Sequence, residues 1–504
     1  MRRSRRSMAA ERLSRLHVAG GFCLAALACL PFADLGLAGV DPWDALARMG
    51  AGLLRPDFSA VEDIFRATAL TVGFALAGVT IGGMAGLVLA PFYHLRAVRI
   101  PAIALRSVHE LFWALFLIAA IGLGPMAGVL AIALPYAGIF AKVFAEQIEE
   151  ADPRPAAWLG PRADALTRFL WTRAPLALRP MWSYWLYRFE CGMRASAVLG
   201  FVGLPTLGFQ LDAFFKVGNY GAVSAVMMVY VILIATIRLW MRPRLVPLWI
   251  AAAFALLATI PVPPMGQGAI LRALNDMTPA PIRGGDWAGL IPWLGDRLGD
   301  EILPGLASTL VAGQIALALT GLIAFLAFGL VVREVAGRAG RAGADLVLIL
   351  LRSFPEYMLA YLFLQVFGPS MLPAVLALAL HNGAIIAHLT GREAAGVTRG
   401  LRADAPRGLT LWGWELVPRL FGPFLALCLY RWEIILRETA VMGLLGVATL
   451  GFYVDTAMQQ LRLDRALVLL IACGLMTAGV DALSRAIRAR LRSPARHDIK
   501  PDTC

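Results

Sequence analysis

The sequence is poor in charge, in cysteine and in the motifs of soluble enzymes. Only 16% of its 504 residues are charged and 59% are hydrophobic, where soluble proteins have about 25% charged and 45–50% apolar residues. A soluble chain of this length has no core large enough to bury so much apolar surface. The composition therefore excludes a cytosolic enzyme, a disordered protein and a disulfide-rich secreted scaffold, and indicates an integral membrane protein.

The few cysteines and the excess of basic residues do not indicate a bound partner. Six cysteines lie mostly within apolar runs, without the spacing of metal ligands or of a disulfide framework. A net charge of +13 would indicate nucleic acid in a soluble protein. In a membrane protein it follows from arginine in the inside loops. We expect no nucleic-acid partner, metal or cofactor, and no catalytic site, because no nucleophile–base set and no Gly-x4-Gly-Lys-Ser/Thr loop occurs.

Long apolar runs dominate what remains. A membrane helix needs about 20 mostly apolar residues, and twelve stretches qualify. We predict spans near 17–40, 67–91, 100–121, 126–145, 180–203, 220–241, 247–264, 304–332, 344–367, 371–390, 419–445 and 464–484. The first is kept as an anchor helix, because it is long and lacks a convincing cleavage site. Arginine is concentrated in the segments that are inside when both termini are cytoplasmic, while the outside segments are acidic or balanced.

The chain contains an internal repeat. Leu186–Phe209 and Leu429–Phe452 share thirteen of twenty-four residues without a gap, at an offset of 243. Leu105–Glu110 and Leu351–Glu356, LRSVHE and LRSFPE, repeat at an offset of 246. Apolar similarity alone does not place arginine and glutamate in register twice.

We therefore predict an all-α membrane protein of about twelve transmembrane helices in two parallel six-helix repeats. An even number of spans gives both copies the same orientation, with a pathway along the axis between them. The predicted organisation is a basic cytoplasmic N-terminus at 1–16, a first module at 17–241, a linker at 242–246, a second module at 247–484 and a basic cytoplasmic tail at 485–504.

Each copy places charged side chains at membrane depth, where an ionised group costs about 2.5–3.5 kcal/mol. They are Arg106, Glu110, Arg188, Glu190, Arg194, Arg352, Glu356, Arg431, Glu433 and Arg437. The spacing predicts i,i+4 pairs on one helix face for Arg106 with Glu110 and for Glu190 with Arg194. Two interpretations remain open: the pairs hold helices together, or the spare arginine of each fifth helix favours an anion in the pathway. His109 replaces Pro355 of the other copy, so the copies differ there.

A long inside loop separates the fourth and fifth spans of each copy, at about 146–178 and about 391–418. A loop of that length in an economical membrane protein favours a function. A short amphipathic helix there would dock on a soluble partner, and the alternative is a solvated connector.

These motifs resemble the phosphonate-type permeases of ABC importers. The resemblance rests on LYRFE-x3-R-x2-AVLG-x2-G-x4-G, on the LRS-x-PE element and on Glu146-Gln-Ile-Glu-Glu-Ala-Asp-Pro153, and covers about 60–241 and 300–490. It implies a type I importer permease of the cell inner membrane, here two modules fused in tandem. The family pairs such permeases with two cytoplasmic ATP-binding subunits and a periplasmic binding protein, and the implied substrate is a small, phosphonate-like oxyanion.

The resemblance also implies ATPase-coupling residues in the long loops. Counting back from Pro418, Ala405 falls at the family's Gly position and Arg399 at its Glu position. In the first copy Ala163 or Arg162 stands near the Gly position, and the spacing to Pro175 is irregular. Both loops depart from the family pattern. The implied coupling residues are Glu149, Asp152, Ala163, Pro175, Arg399, Ala405 and Pro418.

The alternative is a secondary transporter of the major-facilitator kind, which also has two parallel six-helix halves. Residues 333–341 faintly resemble its loop signature, but the matching first-half loop at 94–99 lacks it. A membrane scaffold that transports nothing is less favoured, because it would not need charge pairs repeated at depth.

Overall fold

The computed structural model describes residues 2–36, 42–159, 163–262, 268–402 and 404–491. Within these ranges the secondary structure consists of twenty-three α-helices with short 3₁₀ and π turns, and no strand. Parts of several predictions lie outside the described residues, namely the end of the first span at 37–40, positions 160–162 and 403 of the long loops, the end of the seventh span at 263–264, and the tail at 492–504.

The helices follow the predicted apolar runs along the chain. The first twelve are α1 Arg2–Cys29, α2 Pro42–Leu53, α3 Ile64–Leu89, α4 Arg96–Ser107, α5 Glu110–Ile121, α6 Pro125–Glu150, α7 Ala165–Arg168, α8 Ala174–Leu199, α9 Leu207–Lys216, α10 Tyr220–Ala235, α11 Ile237–Trp240 and α12 Val246–Leu257. The others are α13 Ala269–Met277, α14 Ala280–Arg283, α15 Leu290–Arg297, α16 Leu303–Ala327, α17 Arg333–Ser353, α18 Glu356–Phe367, α19 Met371–Thr398, α20 Gly408–Leu411, α21 Val417–Val441, α22 Leu450–Gln459 and α23 Leu463–Leu491.

Six of the described helical segments are long and apolar enough to cross a membrane, or ten if each of four bent helix pairs forms one span. The sixth and seventh predicted spans correspond to α10 and α12, which have only 16 and 12 residues. Every predicted range thus contains an apolar helix. The structure itself supports six to ten spans and an all-helical membrane protein.

Two predicted spans are sharply broken. α4 and α5 meet at 95°, and α17 and α18 meet at 94°. Val108 and Phe354 are extended at these breaks, and Phe354 precedes a proline, which disfavours helical backbone at that residue. Arg106 therefore ends one helix and Glu110 begins the next. The prediction that this pair lies i,i+4 on one helix face is wrong, because the helix does not continue between them.

The described contacts group into two compact units. One comprises Asp41–Ile302 and Tyr453–Gly474. Its core is the packing of α3 on α6, which depends on three glycines spaced about one helical turn apart. A Cβ on Gly78 would lie 2.6 Å from Ile132 Cβ, one on Gly82 would lie 2.9 Å from Tyr136 Cβ, and one on Gly86 would lie 2.4 Å from Phe140 Cβ. Small residues let the two backbones approach closely, as is typical of membrane helices.

The other unit comprises Met1–Val40, Leu303–Phe452 and Leu475–Cys504. Here α16 packs on α19, and a Cβ on Gly383 would lie 2.9 Å from Ile323 Cγ2. The α1 helix packs on both α16 and α21. Phe22 lies edge-on against Trp432 of α21 with ring centroids 4.8 Å apart, and the carbonyl of Phe22 accepts a hydrogen bond from Gln314 of α16. The module boundaries expected from the sequence stay a prediction.

Candidate functional site

Arg188 lies on α8 among three tyrosine rings. Its Nε donates a hydrogen bond to Tyr184 Oη at 2.8 Å, and its Cζ lies 5.3 Å from the ring centroid of Tyr184, 5.7 Å from that of Tyr187 and 5.9 Å from that of Tyr136. The faces of aromatic rings attract a cation without neutralising it. This half-buried guanidinium is therefore held in place by neutral side chains.

Arg431 lies on α21 and is held differently. Its Nη1 donates to Asn382 Oδ1 at 3.2 Å, and Asn382 Nδ2 donates to Glu438 Oε2 at 3.0 Å. Asn382 is fully buried, and Glu438 is 9% exposed. The amide thus connects a guanidinium to a buried carboxylate through charge-assisted hydrogen bonds.

The two arginines occupy equivalent places in the repeat. The offset of 243 that relates the LYR segments pairs Arg188 with Arg431, and the offset of 246 pairs Tyr136 with Asn382. In both copies the arginine therefore contacts the same position of the helix that corresponds to the fourth predicted span. The first copy supplies an aromatic ring there, whereas the second supplies an amide and, through it, a carboxylate.

A histidine contacts the glutamate at each helix break. In the second copy His381 Nε2 lies 3.6 Å from Glu356 Oε2, and His381 Nδ1 lies 3.2 Å from the carbonyl of Leu351. A carbonyl only accepts, so Nδ1 carries a proton.

In the first copy the histidine comes from the break itself. His109 caps α5 by accepting the backbone N–H of Leu111 at Nδ1, 3.2 Å away, and its Nε2 lies 3.8 Å from Glu110 Oε1. Since Nδ1 accepts, the neutral imidazole carries its proton on Nε2, toward the carboxylate. The two copies thus place imidazole beside glutamate from different positions of the chain.

The remaining predicted charges lie on helices α4, α8, α17 and α21. Arg106 and Arg352 lie in the last turns of α4 and α17. Glu190 and Arg194 lie one turn apart on α8, where Arg194 donates to Cys191 Sγ at 3.8 Å, and Glu433 and Arg437 lie one turn apart on α21. Among the described residues, no group of three or more His, Cys, Asp or Glu side chains is arranged to hold a metal ion.

The turn after each fifth span is built in the same way. The backbone N–H of Leu207 donates to Thr71 Oγ1 at 2.9 Å, and that of Leu450 donates to Thr309 Oγ1 at 3.0 Å. A Cβ on Gly200 or its equivalent Gly443 would lie about 2 Å from the backbone nitrogen of the next helix. The sequence identity between the copies is therefore matched by identical local packing.

The predicted coupling loops are largely helical. Glu149 lies in the last turn of α6, which ends at Glu150, and Pro175 lies in the first turn of α8. In the second copy α19 continues to Thr398, and Pro418 lies in the first turn of α21. The segments between the α-helices are therefore shorter than the predicted loops, at about 151–164 and 399–407, because the flanking helices extend beyond the apolar runs.

The short segments that remain are held by local hydrogen bonds. Arg154 Nε donates to Asp152 Oδ2 at 2.8 Å, and this guanidinium lowers the pKa of the Asp152 carboxyl. The carbonyl of Ala163 accepts a hydrogen bond from Arg168 Nε at 3.1 Å. In the second copy Arg399 Nε donates to the carbonyl of Ala395, and the Ala405 N–H donates to the carbonyl of Arg402.

A single π turn follows each segment at equivalent positions, Phe169–Arg173 and Trp412–Leu416. Such turns often mark functional sites. Each exposes a tryptophan at the same place in the repeat, because Trp171 is 76% exposed and Trp414 is 80% exposed. These two tryptophans were missed as candidate residues, although they are related by the repeat offset of 243.

Curated relatives match most of the chain. The phosphate-import permease PhnE of Mycolicibacterium smegmatis is 25% identical over 455 residues, covering 86% of this chain and 85% of its own. The phosphite transport system permease PtxC of Stutzerimonas stutzeri is 30% identical over 204 residues, covering 38% of this chain and 74% of its own. The same organism's putative phosphite permease HtxE is 35% identical over 146 residues, 28% of this chain and 56% of its own.

The chain belongs to the phosphonate- and phosphite-type permeases of ABC importers. No family model matches it, and no solved structure matches it. The 204 matched residues are 74% of PtxC but only 38% of this chain, so PtxC is about half as long as this chain. This ratio is expected if this chain is a tandem fusion of two permease modules.

Membership in this permease family decides between the two transporter classes. The homologues are permease subunits of ABC importers, so the major-facilitator alternative is not supported. The chain is a transport permease and an integral membrane protein. Permeases of this family work with ATPase and binding-protein partners.

The second-copy cluster contains three polar side chains that the sequence analysis missed: His381, Asn382 and Glu438. A signal existed, since His381 and Asn382 interrupt a mostly apolar run in the tenth predicted span. Polar residues inside a span usually face the interior of the helix bundle or a water-filled cavity. The partners of Asn382 were not visible because they lie 49 and 56 residues away along the chain.

Proposed function

We propose that the chain passes a small, phosphonate-like oxyanion from a periplasmic binding protein to the cytoplasm. The observation that carries this proposal is the pair of equivalent arginines, Arg188 and Arg431. Phosphate and phosphite in the names of the relatives indicate the same class of substrate. An anion at membrane depth needs a compensating positive charge, and the guanidinium of Arg188 is held by tyrosines that leave its charge intact.

The proposed architecture is two parallel six-helix repeats in the cell inner membrane, with both termini in the cytoplasm. It counts each bent helix pair as one span and adds the short helices α10 and α12. The arginine-rich segments then face the cytoplasm, as the positive-inside rule favours. In a variant whose six native cysteines are replaced by serine, a cysteine introduced at residue 4 or at residue 500 should react with a membrane-impermeant maleimide only after the cells are opened. Labelling of intact spheroplasts would contradict this topology.

Two cytoplasmic ATP-binding subunits power transport in this proposal, one at each coupling segment. The support is the repetition of the exposed Trp171 and Trp414, each in a π turn beside a short polar segment. Closure of the ATPases on ATP pushes these segments and switches the pathway from inward-open to outward-open.

The substrate proposal is tested with Arg188→Gln and Arg431→Gln in proteoliposomes that contain the ATPase and binding-protein partners. Hydrogen bonds to charged groups contribute about 1.5–3 kcal/mol, so each variant should lower uptake of phosphite, phosphate or methylphosphonate by about tenfold or more. Arg188→Lys keeps the charge and should retain more uptake than Arg188→Gln. The exposed Arg96→Gln is the control. Wild-type uptake by both Gln variants would overturn the proposal.

The coupling proposal is tested by charge reversal, with Arg399→Glu and Arg402→Glu combined, and separately with Trp414→Ala. Each should reduce transport-stimulated ATP hydrolysis while leaving thermal unfolding of the membrane protein unchanged. Trp287→Ala, which removes a tryptophan that is 68% exposed but lies outside both coupling segments, is the control. Unchanged uptake and ATP hydrolysis in the reversed variant would contradict the assigned contact.

A further inference from the structure

An apolar cavity of about 450 Å³ lies between α3, α10 and α12. Its wall is almost entirely hydrocarbon, and Ile232 on its edge is 56% exposed, so the cavity opens to the surface of the helices. A volume of this size is in the range that binds small molecules. Its central lining residues are Val72, Leu76, Val229, Ile232, Leu233 and Leu256.

The polar groups on this wall are already satisfied. Thr68 Oγ1 donates to the carbonyl of Ile64 at 2.7 Å, and Thr236 Oγ1 donates to that of Ile232 at 2.7 Å. The indole N–H of Trp249 donates to the carbonyl of Trp240 at 3.1 Å. A polar ligand or an oxyanion would find no partner to replace its water, so the cavity suits hydrocarbon.

Positive charge lies at one end of this cavity. Trp240 and Trp249 contact each other edge-on with ring centroids 5.8 Å apart and both line the cavity. The turn that follows Trp240 carries Arg242 and Arg244, whose side chains are exposed. Tryptophan and arginine at the end of an apolar helix surface are typical of the level of lipid headgroups, and basic residues there attract anionic lipids.

We propose that this cavity is a binding site for an anionic phospholipid, with one acyl chain between α3, α10 and α12 and the headgroup at Arg242 and Arg244. The apolar wall selects the chain and the two guanidinium groups select the charge of the headgroup. The site lies within one compact unit and is independent of the substrate proposed above.

The test compares two alanines of α12 that are both exposed. Ala252 lines the cavity and Ala255 does not, so Ala252→Phe fills the cavity and Ala255→Phe is the matched control. Each full-length protein is extracted in mild detergent, and its bound phospholipid is measured by native mass spectrometry and by phosphorus analysis. Ala252→Phe should retain about one phospholipid per chain fewer than the wild type, and Ala255→Phe should retain the wild-type number.

The headgroup is tested with Arg242→Gln and Arg244→Gln combined, against Arg96→Gln and Arg99→Gln as an exposed arginine pair elsewhere. After exchange into nanodiscs of equal phosphatidylglycerol and phosphatidylcholine, wild type and control should retain phosphatidylglycerol preferentially, whereas the 242/244 variant should lose that preference. The proposal is overturned if Ala252→Phe keeps the wild-type lipid number, if the retained species is a peptide or a second chain, or if the 242/244 variant keeps its preference. Transport is not measured, so failure of the oxyanion proposal leaves this test intact.

Discussion

Asn382 on α19 accepts a hydrogen bond from Arg431 and donates one to Glu438, and both of these charged residues lie on α21. One buried amide therefore connects the two helices. Asn382 is fully buried and Glu438 is 9% exposed, so little water can replace the amide at this carboxyl group. A buried charge that loses its partner pays its full desolvation cost. The amide therefore contributes to the stability of this cluster.

Replacing Asn382 with alanine should destabilise the protein by about 1–3 kcal/mol, the cost of leaving buried polar groups unsatisfied. The free energy of unfolding in mixed micelles, titrated with SDS, measures this change. Tyr136→Phe at the equivalent position is the control, because it keeps the ring beside Arg188. Equal stability of Asn382→Ala and the wild type would contradict the assigned bridge.

Tyr184 stabilises Arg188 through both its hydroxyl and its ring. Tyr184→Phe removes the acceptor of Arg188 Nε and should cost about 1 kcal/mol. Tyr184→Leu also removes the cation–π contact and the contacts of this ring with Phe140 and Phe144, and should cost at least about 0.5 kcal/mol more. The same SDS titration separates the contribution of the hydroxyl from that of the ring, and identical losses for both variants would show that the ring contributes nothing.

The close approach of α3 and α6 depends on the absence of side chains at Gly86. Gly86→Val would place its Cβ 2.4 Å from Phe140 Cβ, and overpacking of this kind costs about 1–3 kcal/mol. The variant should lower the thermal unfolding temperature in detergent. Gly20→Ala is the control, since a Cβ there meets nothing within 4 Å. A wild-type unfolding temperature for Gly86→Val would show that the two helices separate without cost.

Asp464, at the start of α23, holds the segment that contains α14. Its buried carboxylate accepts the N–H of Ala280 at 3.2 Å and a hydrogen bond from Arg283 at 3.4 Å. Asp464→Ala removes the acceptor of the Ala280 N–H and one of the two carboxylates that Arg283 contacts, at a cost of about 1–3 kcal/mol, and should speed proteolytic cleavage between residues 268 and 300. Asp276→Ala, which removes the more exposed partner of Arg283, should have a smaller effect. Faster cleavage in Asp276→Ala would reverse this assignment.

The sequence was a good guide wherever structure is local. An apolar run that is long enough to cross a bilayer forms a helix, because in lipid its backbone N–H and C=O groups must hydrogen-bond to each other within the same segment. The register of Arg188 with Arg431 was visible because both copies keep the same local residues around it. The break before Glu356 also has a local cause in Pro355, but the break before Glu110 lacks a proline and was not predicted.

What the sequence determined by itself is a membrane protein with an internal repeat, arginine and glutamate at equivalent positions of that repeat, and the family of ABC-importer permeases. What only the tertiary structure decided is which groups contact four of these charges: tyrosine rings for Arg188, Asn382 for Arg431, and a histidine from a different position for each glutamate at a break. Helix formation depends on neighbours within one or two turns. The partner of a side chain depends on which helices pack together and at what rotation, and two residues separated by 49 positions carry no mark of that in their order along the chain.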